Sequence, residues 1–273
     1  VSLLLQISDT HFGTEQAAVV EALVRLAHDQ APDVVVLSGD ITQRARTTQF
    51  RAARAFVDRL RAPALVAVPG NHDIALFNVF ARVFAPYASH RQAFGQQLEP
   101  QFESPDLLVL ALNTTRPWRH TDGEVSPDQV ERVSRRLGTA QAAQLRIVVV
   151  HQPVAVTEAS DAKNLLHGRE AAVRRWAEAG CDLVMGGHIH LPFVLPLGER
   201  YAGLAREMWA VQAGTAVSRR VRGDAPNSVN LVRHDGVTPR RCRIERWDYA
   251  GPRRAFECVH ALEVGAAASG VGR

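Results

Sequence analysis

Cysteine is scarce in this chain. Cys181, Cys242 and Cys258 are odd in number, widely spaced and without any C-x-x-C pair, which excludes a disulfide framework or a zinc knuckle as the organising principle. They read as reduced, mostly buried small residues. Lysine is scarcer still, with Lys163 the only one, so the formal net charge of +4 rests almost wholly on arginine. An excess this small, with no continuous basic face in the sequence, argues against nucleic acid as a partner, and a GC-rich genome produces such an arginine bias by itself. Long apolar runs are missing too: no stretch of about 18 apolar residues occurs, which excludes a spanning helix. The chain starts on a strand-like run, Val1 to Ile7, without the basic and apolar regions of a signal peptide, and we expect a cytoplasmic protein. No tandem repeat or linker divides the 273 residues. We therefore expect one domain over residues 1–265 with a sizeable core, followed by a small-residue, Gly-rich tail, Ala266 to Arg273, that stays disordered. Oligomeric state is left open, a dimer included.

What is present is a rhythm. Leu3 to Ile7, Val34 to Leu37 and Leu65 to Val68 are apolar runs of buried-strand type, separated by stretches with helical spacing at Val19 to Leu26 and Phe50 to Leu60. This β-α-β-α-β pattern implies parallel strands with right-handed crossovers. Residues 75–97, with Leu76, Phe77, Val79, Phe80, Val83 and Phe84, predict a helical insert that caps the strand ends. Short strands near 107–112 and 145–150 flank a helix opening at Ser126-Pro127-Asp128. A helix over about 170–179 leads to a strand at 182–185, and from there the pattern is β only, near 193–197, 208–213, 228–233, 240–249 and 255–263, with a hairpin signal at Asp235-Gly236. The fold class is α/β: two packed mixed β-sheets flanked by helices.

Five of these strands end in residues able to hold metal: Asp9 and His11, Asp40, Asn71 and His72, His151, and His188 and His190. Open α/β sheets place ligands at that edge. In Asp9-x-His11 and His188-x-His190 the members are two apart, so extended backbone would point both side chains of a pair the same way. Asp40 can bridge two cations and Asn71 adds a neutral oxygen; this imidazole and oxygen mixture suits Mn, Fe, Zn or Ni. Gly70 would supply the φ that a sharp strand-to-loop turn needs. Two divalent ions less the carboxylates of Asp9 and Asp40 leave about +2, a site built to attract an anion. Two such cations make a hydroxide available near neutral pH and stabilise in-line displacement at phosphorus. His72 can face the substrate and protonate the leaving oxygen, with Asp73 either holding its ring or capping the next helix. Arg116, after Asn113-Thr114-Thr115, and Arg219, in Ser218-Arg219-Arg220-Val221-Arg222, are the candidates for a phosphate contact. His90 and His120 are candidates for the rim.

Asp9-x-His11, Gly39-Asp40, Gly70-Asn71-His72-Asp73, His151 and Gly187-His188-x-His190 together resemble the calcineurin-like metallophosphoesterase superfamily, over about residues 3–215. Within it they look most like the bacterial class III cyclic nucleotide phosphodiesterases. The resemblance implies a four-layer αββα sandwich and two metals, one held by Asp9, His11, Asp40 and His190, the other by Asp40, Asn71, His151 and His188, with His72 catalytic. His151-Gln152-Pro153 stands where many relatives have His-His-Pro, a change expected at the substrate-side surface. The implied activity is hydrolysis of a small phosphodiester, a cyclic nucleotide or glycerophosphodiester, by a metal-bridging hydroxide. Alternatives are a phosphomonoesterase or nucleotide-lipid pyrophosphatase, a nuclease, and a binding scaffold that has lost its chemistry.

Overall fold

The computed structural model describes residues 1–75 and 79–265, the side chains of Val79 and Ala81 excepted. Leu76, Phe77 and the tail Ala266 to Arg273 lie outside the described residues. The chain opens with β1 (Ser2–Ile7), α1 (Ala17–Gln30), β2 (Val34–Ser38), α2 (Thr47–Leu60) and β3 (Ala64–Val68). Two short helices follow, α3 (Val79–Phe84) and α4 (Ala88–Phe94), then β4 (Gln101–Glu103), β5 (Leu107–Ala111), α5 (Pro127–Gly138), β6 (Leu145–Val149), α6 (Arg169–Glu178) and β7 (Leu183–Gly186). The remainder is β8 (Phe193–Pro196), β9 (Trp209–Gln212), β10 (Ser228–His234), β11 (Cys242–Ala250) and β12 (Ala255–Val264).

These strands form two six-stranded mixed sheets, ordered β12-β11-β10-β1-β2-β3 and β4-β5-β6-β7-β9-β8. The expected parallel β1, β2 and β3 are present, and a second parallel block runs through β5, β6, β7 and β9. The layering follows from side-chain alternation. Leu3, Leu5 and Ile7 face out and pack with Leu23, Leu26, Phe56 and Leu60 of α1 and α2. Leu4, Val34, Val36, Val66 and Val68 face in and meet Leu107, Val109, Ile147, Val149 and Leu183 of the other sheet. That sheet's own outer face, with Leu108, Val148 and Val184, packs under Val133, Leu137, Val173 and Trp176 of α5 and α6. Strands covered on both faces must be apolar throughout, which is why they read as unbroken hydrophobic runs. The start of α5 is set as its sequence implies: Ser126 Oγ accepts from Gln129 N at 3.2 Å and the Gln129 side chain accepts from Ser126 N at 2.9 Å.

One expectation changes. The helical insert carries two short helices, and His90 of α4 is fully buried against Phe50 of α2 and Phe94, so this part stacks on α2 and His90 is not a rim residue. The hairpin signalled at Asp235-Gly236 is present, β10 pairing antiparallel with β11 from His234↔Cys242, and in its seven-residue loop Asp235 Oδ1 accepts from Val237 N and Thr238 N, both at 2.9 Å. The short edge strand β4, paired antiparallel with β5, has no apolar run to announce it. Among the described residues no helix is long and apolar enough to cross a membrane.

Several inward positions depart from the apolar rule, Gln6 and its cross-strand partner Asn230 among them. Gln6, fully buried, donates to Ser38 Oγ at 3.2 Å and to the Gly186 carbonyl at 3.0 Å, and accepts from Asn230 Nδ2 at 3.0 Å. Gln6 thus stitches the two sheets together at the ends of β1, β2 and β7. Its truncation leaves buried partners unsatisfied, so Gln6→Ala is expected to lose about 1–3 kcal/mol of stability. Urea unfolding with an unchanged m-value would check this; a loss near zero would contradict it.

Candidate metal centre

The loops after β1, β2, β3, β6 and β7 converge because they are tied to one another by backbone. Asp9 N donates to the Gly39 carbonyl at 3.1 Å and His11 N to the Asp40 carbonyl at 3.0 Å. Asp73 does the same for the next pair of loops: its carboxylate accepts from Ile41 N at 3.0 Å, Thr42 N at 2.8 Å and Gly70 N at 2.9 Å. Burial, then the negative charge of Asp40, pushes the Asp73 carboxyl up to about 6, so it is ionised at neutral pH. Its bond from Gly70 N caps the short 3-10 helix Asn71–Asp73, and it does not hold the His72 ring. That ring is held by the Gln43 carbonyl, 2.9 Å from Nδ1, and His72 N donates to Asp40 Oδ1 at 2.8 Å.

The backbone of the ligand residues is not extended. Asp9 (φ 52°), His11 (41°), Asp40 (48°), His188 (74°) and His190 (60°) all sit in the left-handed region, a strain of order 1 kcal/mol or more each for non-glycine residues. Strands β1 and β7 end at Ile7 and Gly186, before the Asp-x-His and His-x-His pairs begin. The members of each pair are thus aimed by turns, not by the pleat. The glycines provide room. Gly70 has φ −98°, so it is needed for space: a Cβ there would strike the backbone and carboxylate of Asp40. A Cβ on Gly39 would fall on the His151 ring, and one on Gly187 on Ser8 and Asp9.

Two donor groups result, Asp9 with His11, Asp40 and His190, and Asp40 with His151 and His188, the ligand atoms of each group within 4.8 Å of one another. Asp40 belongs to both. Asn71 Oδ1 lies 3.3 Å from His151 Nε2 and extends the second group. Whether these residues fit a cation can be read from their unused atoms. His151 Nδ1 lies 2.8 Å from the Ser38 carbonyl and His190 Nδ1 against the Arg220 carbonyl, so each Nδ1 carries the hydrogen and each Nε2 turns a lone pair inward. His190 Nε2 is 3.3 Å from Asp9 Oδ1 and 3.2 Å from His11 Nε2, and His151 Nε2 is 3.3 Å from Asp40 Oδ1. Lone pairs facing carboxylates at such distances need something positive between them. The imidazole and carboxylate donors suit borderline divalent metals, and the residues fit such a group.

Protons take that role when no cation does. Burial lowers the pKa of His151, but the carboxylate of Asp40 and its hydrogen bond outweigh this and raise it to about 9. His190 is likewise raised, Asp9 overcoming burial. His11 is pulled down to about 3, chiefly by burial, and His188 to about 4 by burial and then His151.

Two sequence candidates lie elsewhere. Arg116 donates from Nη1 to the Asn113 and Thr115 carbonyls, both at 3.0 Å, and from Nη2 to Gln129 at 2.8 Å, so its guanidinium fastens its own loop to α5. Arg219 has an exposed side chain and no side-chain partner among the described residues. The arginine at the cluster is its neighbour: Arg220 Nη1 is 3.1 Å from Gln43 Oε1 and 3.5 Å from His72 Nε2. Gln152 does not reach a substrate-side surface, being fully buried with Thr114 Oγ1 donating to it at 2.6 Å and its amide donating to the Thr121 carbonyl at 3.2 Å. Gln43 and Arg220 carry no motif of their own; the one signal pointing to Arg220 is its place in the basic stretch 218–222.

A family model described as calcineurin-like phosphoesterase matches residues 3–192. The chain is 26% identical over 203 residues to a probable cyclic nucleotide phosphodiesterase of Synechococcus sp., covering 70% of this chain and 74% of that protein. It is 38% identical over 98 residues to the glycerophosphodiester phosphodiesterase GpdQ of Enterobacter lignolyticus, 31% of this chain and 34% of that one. A dimetal phosphatase from Danio rerio superposes with a TM-score of 0.67 at 14% identity, over 97% of this chain and 98% of the other.

A pKa raised from 6.5 to about 9 means that protonated His151 stabilises the cation-free fold. The contribution is complete below pH 6.5 and lost as pH rises through about 9. Cation-free protein is therefore expected to become less stable to urea across that window. Manganese binding at pH 7 should release protons, since the ligand imidazoles must be neutral; calorimetry in buffers of differing ionisation enthalpy would detect it.

Proposed function

The chain belongs to the calcineurin-like phosphoesterase family, a metal-dependent class of phosphoric ester hydrolases, and from that premise we propose that it is a phosphodiesterase acting on a small phosphodiester. Cyclic nucleotides and glycerophosphodiesters are the substrate classes in view, supported by the activities for which two relatives are named. The observation that carries the reading is the sharing of the buried Asp40 between two donor groups, since a single structural metal would need only one of them. In this reading Asp9, His11, Asp40 and His190 hold one divalent cation, and Asp40, Asn71, His151 and His188 hold the second. When bound, such a pair supplies Lewis acidity at the phosphoryl oxygens and lowers the pKa of water toward neutrality.

The protein's own residues do the rest. The carbonyls of Ser38 and Arg220 keep the rings of His151 and His190 in the inward tautomer, and His188 N donates to Asp9 at 3.0 and 3.2 Å, holding that carboxylate still. His72 is oriented by Gln43 at Nδ1, and its Nε2, 3.5 Å from Arg220 Nη1, is the atom that turns to the substrate in this reading. Protonated there, it delivers its proton to the departing oxygen; its role is that of general acid.

The test uses metal-stripped protein reloaded separately with Mn, Fe, Zn and Ni, and compares bis(p-nitrophenyl) phosphate with p-nitrophenyl phosphate. A clear diester preference is expected; equal or reversed preference would favour a phosphomonoesterase. Asp40→Ala is expected to lose both cations by elemental analysis. His72→Ala should retain both while kcat falls about 10²–10⁴-fold. Normal turnover in either variant would remove the assignment.

A further inference from the structure

The loop that follows β9 brings one cation to the cluster without bringing an anion to match it. The backbone of Arg220 is held on two sides: its carbonyl receives His190 Nδ1 and Thr215 Oγ1, the latter at 2.8 Å, and its N donates to Ser218 Oγ at 3.2 Å. The residue is therefore fixed one hydrogen bond from a member of the donor cluster. Its guanidinium turns back toward Gln43 Oε1 at 3.1 Å and His72 Nε2 at 3.5 Å. Both of those contacts use Nη1. Among the described residues Nε and Nη2 have no partner, and no carboxylate lies within ion-pair distance. Arg222, two positions on, shows the alternative: it is neutralised by Asp161 at 2.7 Å and Glu158 at 2.6 Å.

A tether to Gln43 alone does not require this residue type, because one hydrogen bond to a neutral amide is as well made by a neutral donor. A permanent positive charge next to residues that gather cations is unfavourable by itself, since each added cation repels the others. It becomes favourable when an anion shares the space. The unpartnered Nε–Nη2 edge is the planar fork that matches two phosphoryl oxygens, and it stands beside the imidazole assigned to the leaving group.

We propose that Arg220 is the substrate-binding residue that grips the phosphoryl group of the phosphodiester beside His72. The same edge would hold the phosphate monoester product. This proposal rests on the phosphodiesterase reading for the identity of the substrate, but not for the binding of phosphate itself.

The experiment measures inorganic phosphate binding to manganese-loaded protein by calorimetry, together with KM and kcat for bis(p-nitrophenyl) phosphate. Arg220→Ala is expected to weaken phosphate about ten- to a hundred-fold and to raise KM by a similar factor, with kcat changing less and metal content unchanged. Arg220→Lys, keeping the charge without the fork, should recover part of the affinity. Arg219→Ala removes the same charge one position away and should leave phosphate affinity within twofold. Phosphate affinity and KM both within twofold of wild type in Arg220→Ala would overturn the proposal, as would a loss that accompanies loss of metal. A lowered melting temperature with unchanged phosphate affinity would assign Arg220 to the Gln43 tether alone and overturn it equally. The two readings fail separately. Protein that hydrolyses no diester but binds phosphate through Arg220 would keep the proposal and sink the phosphodiesterase; the reverse pattern would do the opposite.

Discussion

Two carboxylates, Asp9 and Asp40, are buried with almost no exposure, and a buried negative charge must be met by positive charge close at hand. Much of the loop architecture is the means of meeting it. Four imidazoles surround the pair, two of them with their outer nitrogens on backbone carbonyls so that their lone pairs turn inward. Without a cation two of them, His151 and His190, are shifted toward holding a proton by the carboxylates they face, while burial pulls His11 and His188 the other way. Divalent cations answer the same demand more completely, and the protein is then ready for an anionic ester.

The cost of that arrangement falls on the loops, and the sheets absorb it. Five of the ligand residues are held in left-handed backbone, a conformation that persists only where the surroundings leave no alternative. Here the surroundings are the Asp73 carboxylate, the cross-loop bonds from Asp9 and His11, and glycines whose hydrogens admit the neighbouring ligand. Beneath them the inter-sheet core changes from aliphatic to polar at Gln6, so the site stands on a hydrogen-bonded floor.

The architecture was legible in the sequence because doubly covered strands leave unbroken apolar runs, and the donor cluster was legible because its residues are rare types at strand ends. What was not legible depends on backbone geometry. Spacing of two in Asp9-x-His11 implied a pleat, but whether a strand continues for two more residues is decided by tertiary contacts. The carbonyls of Ser38, Gln43 and Arg220 orient three histidines, and a carbonyl has no residue type to betray it. Arg219 and Arg220 differ only in which way a loop turns between Ser218 and Val221. Arg116 and Gln152 had the right chemistry in the right stretch, but the neighbours that claimed them, Gln129 and Thr114, could be known only from packing. His90 was hidden for a similar reason, since nothing in its own helix shows that Phe50 lies above it.

The cluster draws on both ends of the family-matched region: His11 meets His190 across 179 positions of chain, and Arg220 lies beyond both. Contacts of such separation cost loop-closure entropy that must be surrendered before they return any stability. The parallel strands β1, β2 and β3 can assemble with their helices while the second sheet is still incomplete, but the donor groups exist only after β7 has docked and the loop beyond β9 has closed on His190. Capture of a cation therefore requires both sheets to be in place. A chain cleaved before residue 188 would keep His11 and His151 but lose His188 and His190, so each donor group would be one imidazole short and Asp9 would lack its nearest one.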